Sequence, residues 1–349
     1  VNIARWEMPS LRLTGRKELQ LGNILDIQQG LIVPTPYAPR QPLLIMAGHI
    51  VKSNPPRDVM LLIDLRRAAV LGKEIPHQYD TLIGLEDNRI LLINWTSLQG
   101  PKLGIGHYVL EKNELRLRNE WSVPIVARRL LYADNVDRVV RLFYHAAPAR
   151  QGTRAGNLEG APGPVRVCSL DVDKGTLISD QLVQDNVTYP LIAAPPSGEA
   201  FYLLSGSQIA LYSRKKLALD RAIGKGLLNL ISEPNTIESP YTIARVDSQN
   251  KLLGVVSDPL GEVLVLNTDN GHRVLQDATH LRWSERKINE LAQESGIPLG
   301  ALWMRILDIA FVPGQKTLVA LAGSGHLYYY DLERGKLART AYLREGTPD

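Results

Sequence analysis

His326-Leu327-Tyr328-Tyr329-Tyr330-Asp331-Leu332-Glu333-Arg334-Gly335-Lys336-Leu337 reads as an apolar strand, a polar turn with a glycine, and the start of a second strand. The pattern returns in Val165-Arg166-Val167-Cys168-Ser169-Leu170-Asp171-Val172-Asp173-Lys174-Gly175-Thr176-Leu177. It returns again in Val263-Leu264-Val265-Leu266-Asn267-Thr268-Asp269-Asn270-Gly271, with the Asx and the glycine four positions apart. Met60-Leu61-Leu62-Ile63-Asp64 runs the same way, with Ala68 in the glycine's place. Aspartate and asparagine suit such turns because their side chains accept from backbone amides two residues on.

Each cassette extends backwards into two more strands. Ile306-Leu307-Asp308-Ile309-Ala310-Phe311, the turn Pro313-Gly314-Gln315-Lys316 and Thr317-Leu318-Val319-Ala320-Leu321 precede the first copy quoted. Tyr189 to Leu204 repeats that plan around Pro196-Ser197-Gly198-Glu199, and Tyr241 to Val256 repeats it once more. Short β-rich runs bounded by Gly, Pro, Asn and Asp are the strand signature. The turns before the outermost strands fall at Asp64, Glu111, Asp171, Ser213, Asn267 and Asp331, at intervals of 42 to 64 residues. Four strands with their loops need about 40–50 residues in a propeller blade. A β-sandwich also uses many short strands, but it does not predict this recurrence. The fold class expected is therefore all-β, a β-propeller of about six four-stranded blades, with seven as the other count. The blades are expected to cover 29–343. Residues 1–28 supply strands that complete or clasp the ring, and 344–349 form a tail.

Two insertions interrupt the repeat. Pro148–Pro164 is rich in glycine and proline and reads as a surface loop. Ser284–Gly296 places Ile288, Leu291 and Ala292 on one helical face and stops at Gly296 and Pro298, so a short helix is expected over 284–296. Leu281 and Trp283 before it, and Ile297, Leu299, Leu302 and Trp303 after it, give it apolar shoulders. Loops on a rigid scaffold carry function. Ile288, Leu291, Trp283 and Trp303 are accordingly the expected partner-binding residues.

Composition narrows the function classes. Hydrophobic residues make up 44% and charged ones 22%, as in an ordinary globular protein. The net charge of +4 is spread along the chain, too weak and dispersed for a nucleic-acid footprint. No run approaches a membrane span. Cys168 is the only cysteine, so an intrachain disulfide and a cysteine-based zinc site are both excluded. The single cysteine, and a chain that begins at Val1 without an initiator methionine, lean toward an exported bacterial protein or a piece of a longer one.

The paired segments ending in Tyr-Tyr-Tyr-Asp-Leu-Glu-Arg-Gly-Lys-Leu and Ala-Leu-Tyr-Ser-Arg-Lys-Lys-Leu resemble repeats of the β-propeller superfamily in its PQQ-like, YVTN-like and WD40-like styles. No Trp-Asp dipeptide closes a blade, and five tryptophans are too few for the regular girdle of quinoprotein propellers. Gly-His pairs occur at Gly48-His49, Gly106-His107, Gly271-His272 and Gly325-His326, and equivalent hairpins would gather their imidazoles at one rim. No nucleophile elbow or phosphate-binding glycine loop is present, and no cofactor is expected. Of the three tyrosines at 328–330, alternation puts Tyr328 and Tyr330 on one sheet face and Tyr329 on the other. Core packing is their expected role. The leading functional expectation is a non-catalytic scaffold for other protein subunits in a larger assembly. The alternative is an enzyme or a ligand- or metal-binding propeller whose site lies in the central channel. Asp308, Arg245 and Arg128 are polar where apolar residues dominate the innermost strands, and they are its candidate lining groups.

Overall fold

The computed structural model describes residues 2–7, 12–18, 24–33, 43–50, 57–76, 81–85, 89–94, 102–111, 114–136, 139–146, 162–195, 199–205, 208–223, 241–257, 262–277, 306–323 and 325–342. These form twenty-six strands and, among the described residues, no helix. The fold is an all-β propeller of six four-stranded antiparallel blades. The described residues fall into two compact units, one drawn from Val1–Ala147 and Arg166–Gln181, the other from Pro148–Val165 and Leu182–Asp349.

In the first unit β1 (Asn2–Glu7) and β2 (Arg12–Glu18) pair with each other in a two-stranded sheet. The first blade is β3 (Ile24–Val33), β4 (Leu43–Ile50), β5 (Arg57–Asp64) and β6 (Ala69–Pro76). The second is β7 (Thr81–Gly84), β8 (Arg89–Asn94), β9 (Leu103–Glu111) and β10 (Glu114–Val123). The third, mostly in this unit, is β11 (Ala127–Val136), β12 (Val139–Ala146), β13 (Gly163–Asp171) and β14 (Thr176–Val187). The second unit holds β15 (Leu191–Ala193), β16 (Ala200–Ser205), β17 (Gln208–Ser213) and β18 (Leu219–Ile223) as the fourth blade. Its fifth is β19 (Tyr241–Val246), β20 (Leu252–Ser257), β21 (Val263–Asn267) and β22 (Arg273–Asp277). Its sixth is β23 (Ile306–Phe311), β24 (Thr317–Ala322), β25 (His326–Asp331) and β26 (Lys336–Tyr342).

Middle strands of blades are buried on both faces, and for that reason they read as continuous apolar runs rather than alternating ones. Ile90 and Leu92 of β8 pack with Leu43, Ile45, Met60 and Leu62 of the first blade. Leu91 and Ile93, pointing the other way, pack with Val140, Leu142, Cys168 and Leu170 of the third. In the second unit Leu253 and Val255 face Tyr202, Leu204, Ile209 and Leu211. Val256, Val263 and Val265 face Ile309, Leu318, Ala320, Tyr328 and Tyr330. Each fully buried side chain of this size contributes about 1.5–3 kcal/mol, so the seams between blades hold the fold.

The turn between third and fourth strands carries the repeat seen in the sequence. Asp64 Oδ1 accepts from the amides of Arg66 and Arg67 at 2.8 and 3.0 Å. Asp171 does the same for Asp173 and Lys174, Asn267 for Asp269 and Asn270, and Asp331 for Glu333 and Arg334. Four residues on, the chain enters the left-handed region every time: Ala68 at φ 51, Gly175 at 65, Leu217 at 53, Gly271 at 71 and Gly335 at 61. Glycine reaches that region without a Cβ clash. In the second blade Glu111 pairs directly with Glu114.

These turns also join the blades. A Cβ on Gly175 would lie 3.2 Å from the Trp121 ring of β10, and one on Gly335 would lie 2.6 Å from the Val274 carbonyl oxygen of β22. Val274 is the extra residue of a bulge, because partners jump from Leu275 to Arg273 between Val265 and Leu266. Between the fourth and fifth blades Arg221 of β18 donates to the carbonyls of Thr268 and Asp269 at 2.8 and 3.0 Å. The turn of one blade thus rests on the outer strand of the blade before it.

Candidate functional site

In the second unit the first strands β15, β19 and β23 lie side by side. From Leu191, Ile243 and Asp308 onward the ladders run without a break to the Asx or Ser position that ends the third strand, so blades can be compared position by position. Arg245 pairs with Gly254, which pairs with Val265, two residues before Asn267. The same count reaches Ala193 in the fourth blade and Ala310 in the sixth. Asp308 likewise occupies the place of Leu191 and Ile243. A long cation replaces alanine, and a carboxylate replaces a branched aliphatic.

The two departures from the repeat meet. Arg245 Nη2 donates to Asp308 Oδ1 at 2.9 Å, with side chains 52% and 53% exposed. Arg245 also donates to the Ala244 carbonyl at 3.1 Å, and Asp308 Oδ1 accepts from the Ile309 amide at 2.8 Å. A bulge between Ile306 and Asp308 turns β23 at this point, and Leu307 beside it is exposed. Bulges re-aim side chains out of the ladder. An ion pair this open contributes only about 0–1 kcal/mol, so it is presented to solvent at little cost to folding if either member is engaged elsewhere. Arg128 stands at the second position of β11, in the first unit, partly buried. Trp283, Ile288, Leu291 and Trp303, and the helix expected over 284–296, lie outside the described residues.

The other conspicuous residues are taken up by the fold. Tyr328 and Tyr330 are buried in the seam between the fifth and sixth blades, while Tyr329 faces the opposite way under the Arg339 guanidinium, 4.2 Å from its centroid. Burial pushes the Tyr328 phenol up to about 12. Cys168 is a free thiol in the core, pushed up to about 12 by burial, which makes it a poor nucleophile. Tyr144 donates to Asp180 at 2.9 Å, and the Arg166 guanidinium holds the same carboxylate at 3.1 Å. The Gly-His pairs do not occupy equivalent hairpins. Gly48-His49 and Gly106-His107 run inside β4 and β9, Gly271-His272 closes a turn, and Gly325-His326 leads into β25. Their imidazoles therefore start from unrelated points of the repeat. Among the described residues no three His, Cys, Asp or Glu side chains group as metal ligands, and no helix is long and apolar enough to cross a membrane.

Two residues of consequence gave no usable signal in the sequence. Arg221 reads as an ordinary exposed strand residue, since its acceptors come from a turn 47 positions away. His107 reads as part of a turn because it follows glycine, yet it sits mid-strand and buried.

Six four-stranded meanders with seams of this kind define the chain as a β-propeller. No family model and no curated protein matches the sequence. Among solved structures the fold is similar to that of Chaetomium thermophilum Sqt1, a WD40-type propeller, in its complex with the N-terminus of the ribosomal protein L10. The likeness covers 92% of this chain and 77% of that one, with a TM-score of 0.54 and 12% identity. At that identity it speaks for the fold alone.

Proposed function

We propose that this propeller is a docking platform for another protein, acting by binding rather than by chemistry, and that the Arg245–Asp308 pair belongs to the docking face. The observation that carries the reading is the double departure from the repeat. Two positions that are apolar in neighbouring blades carry opposite charges, the charges meet across the gap between blades, and both stay half open. Stability does not require them, since exposed pairs contribute little. In propellers the blades are arranged radially around a channel, and first strands are the ones that frame its mouth. The similar propeller Sqt1 is bound to the N-terminus of a protein, which supports a peptide-like segment as the kind of object such a face receives.

Capture from the native source tests the proposal, using the unmodified chain and the charge reversals Arg245→Glu and Asp308→Lys at matched folded concentration. A defined protein should be retained by the unmodified chain and lost from both variants, whose unfolding midpoints stay close to the original. Undiminished retention by both variants would overturn the assignment of the face, and turnover of a small substrate by a chain that captures nothing would overturn the platform. The same pair also suits the second reading, a channel that takes a small charged ligand or a metal. Elemental analysis of the purified protein separates the two, because a stoichiometric ion lost on charge reversal belongs only to the channel reading.

A further inference from the structure

A polar side chain in the first unit is buried with nothing to bind. His107 lies in the middle of β9, 5% exposed, opposite Leu91 of β8 and Asn119 of β10. Alternation along the strand puts it on the face of Leu103 and Ile105, which belong to the core shared with Val140, Leu142 and Cys168 of the third blade. Trp121 stands edge-on to the imidazole, ring centroids 6.3 Å apart and planes at 83°. The same indole receives Gly175, in the turn of the third blade. Neither nitrogen of His107 has a hydrogen-bond partner, and nor does Trp121 Nε1.

The charges that face the imidazole come from three elements. Arg89 lies on β8, Arg118 on β10, and Asp173 in the turn of the third blade. Arg89 already engages Asp173 at 3.3 Å. Burial first, and then Arg89, hold the imidazole below its ordinary 6.5, against a smaller opposing pull from Asp173. Two cations and an occupied carboxylate leave no welcome for a third positive charge.

We propose that His107 is an acid-sensitive latch on the seam between the second and third blades. Neutral, it fills the seam as a flat aromatic against Trp121. Protonated, it becomes a buried cation beside Arg89 with its two donors unmet, and the Asp171–Gly175 turn lifts from β10. The window follows from linkage. Above pH 6.5 the folded and unfolded chains are both neutral at this site and the seam has its full stability. Below 6.5 the unfolded chain takes the proton and the folded chain does not, so stability falls until the folded imidazole titrates as well. Across that window the unfolding equilibrium constant rises about tenfold per pH unit from this site alone.

Urea unfolding of the whole chain at pH 7.5, 6.5 and 5.5 tests this, with His107→Phe as the comparison. Phenylalanine keeps an aromatic ring against Trp121 and cannot titrate. The latch predicts that the loss of stability between pH 6.5 and 5.5 is up to about tenfold smaller in the equilibrium constant of the variant. An unchanged acid slope would overturn it, and would point instead to His145, the other buried histidine among the described residues. Should His107→Phe not fold, hydrogen exchange of the unmodified chain decides. After correction for intrinsic rates, β9, β10 and residues 171–175 should lose protection on acidification while β20 and β21 keep theirs. Equal behaviour of the two sets ends the proposal.

Discussion

Gly335→Ala is expected to weaken the fold about three times as much as Gly314→Ala, although both replace a turn glycine. The two positions have nearly the same backbone, φ +61 and φ +71. An L-residue in that region carries about 1–2 kcal/mol of strain, so this part of the cost is shared. Their surroundings differ. A Cβ at Gly314 meets nothing within 4 Å, whereas at Gly335 it meets the Val274 carbonyl oxygen at 2.6 Å. That oxygen is backbone, and its neighbours in β22 are tied into the ladder through Leu275 and Arg273. It cannot swing aside as a side-chain tip would. Either the turn or β22 has to shift, an overpacking cost of about 1–3 kcal/mol. The totals come to about 1 kcal/mol at Gly314 and about 3 kcal/mol at Gly335. With a urea m-value of about 3 kcal/mol/M, the midpoints fall by about 0.3 M and about 1 M. Equal shifts for the two variants would refute the reasoning, because they would mean that the approach of turn to bulge does not constrain the seam.

Two further outcomes follow from the same turns and cores. The Asp171 carboxylate is held below its ordinary 3.8, chiefly by the Lys174 amide, so its contribution is present above that pH and is lost as pH falls through the lower folded value. Asp171→Asn should flatten the acid limb of the stability curve below pH 4 with little change at pH 7, as Asn267 already fills the same role uncharged; an unchanged acid limb would count against it. Cys168 should resist a thiol reagent in native buffer and react fully in denaturant, because it is buried and its thiol is pushed up to about 12; rapid native labelling would show that the seam between the second and third blades opens.

What was legible in the sequence was local. An antiparallel meander keeps hydrogen-bond partners near one another along the chain, and the Asx turns sit inside single cassettes, so the strands could be read directly and the blade count narrowed to six or seven. The turn at Ser213 was legible only by spacing, since Leu217 stands at φ 53 where glycine marks three of the other copies. The candidate site was half legible. Arg245 and Asp308 stood out as polar residues in apolar strands, but their contact spans 63 positions and depends on which first strands lie side by side. His107 was misread for a physical reason: glycine before histidine signals a turn in isolation, while here Gly106 lies opposite Glu120 inside a ten-residue edge strand's ladder. Backbone pairing overrode the local cue.

The turns explain why motif reading alone finds so little chemistry in this chain. Asp64, Asp171, Asn267 and Asp331 spend their side chains on their own backbone, and the turns that carry Gly175, Gly271 and Gly335 approach the outer strand of the preceding blade, at Trp121, Arg221 and Val274. A residue conserved by the repeat is therefore engaged by the fold. Function has to be sought where a blade departs from its neighbours at an equivalent position and gains no core contact by doing so. Arg245 in place of Ala193 and Ala310, and Asp308 in place of Leu191 and Ile243, meet both conditions. Leu217 departs from the glycine of the repeat as well, but it keeps the same φ and the same bond from its amide to the Ser213 carbonyl at 2.8 Å, so its departure is absorbed by the turn. Of these departures among the described residues, the charged pair on the first strands is the one that stands half exposed.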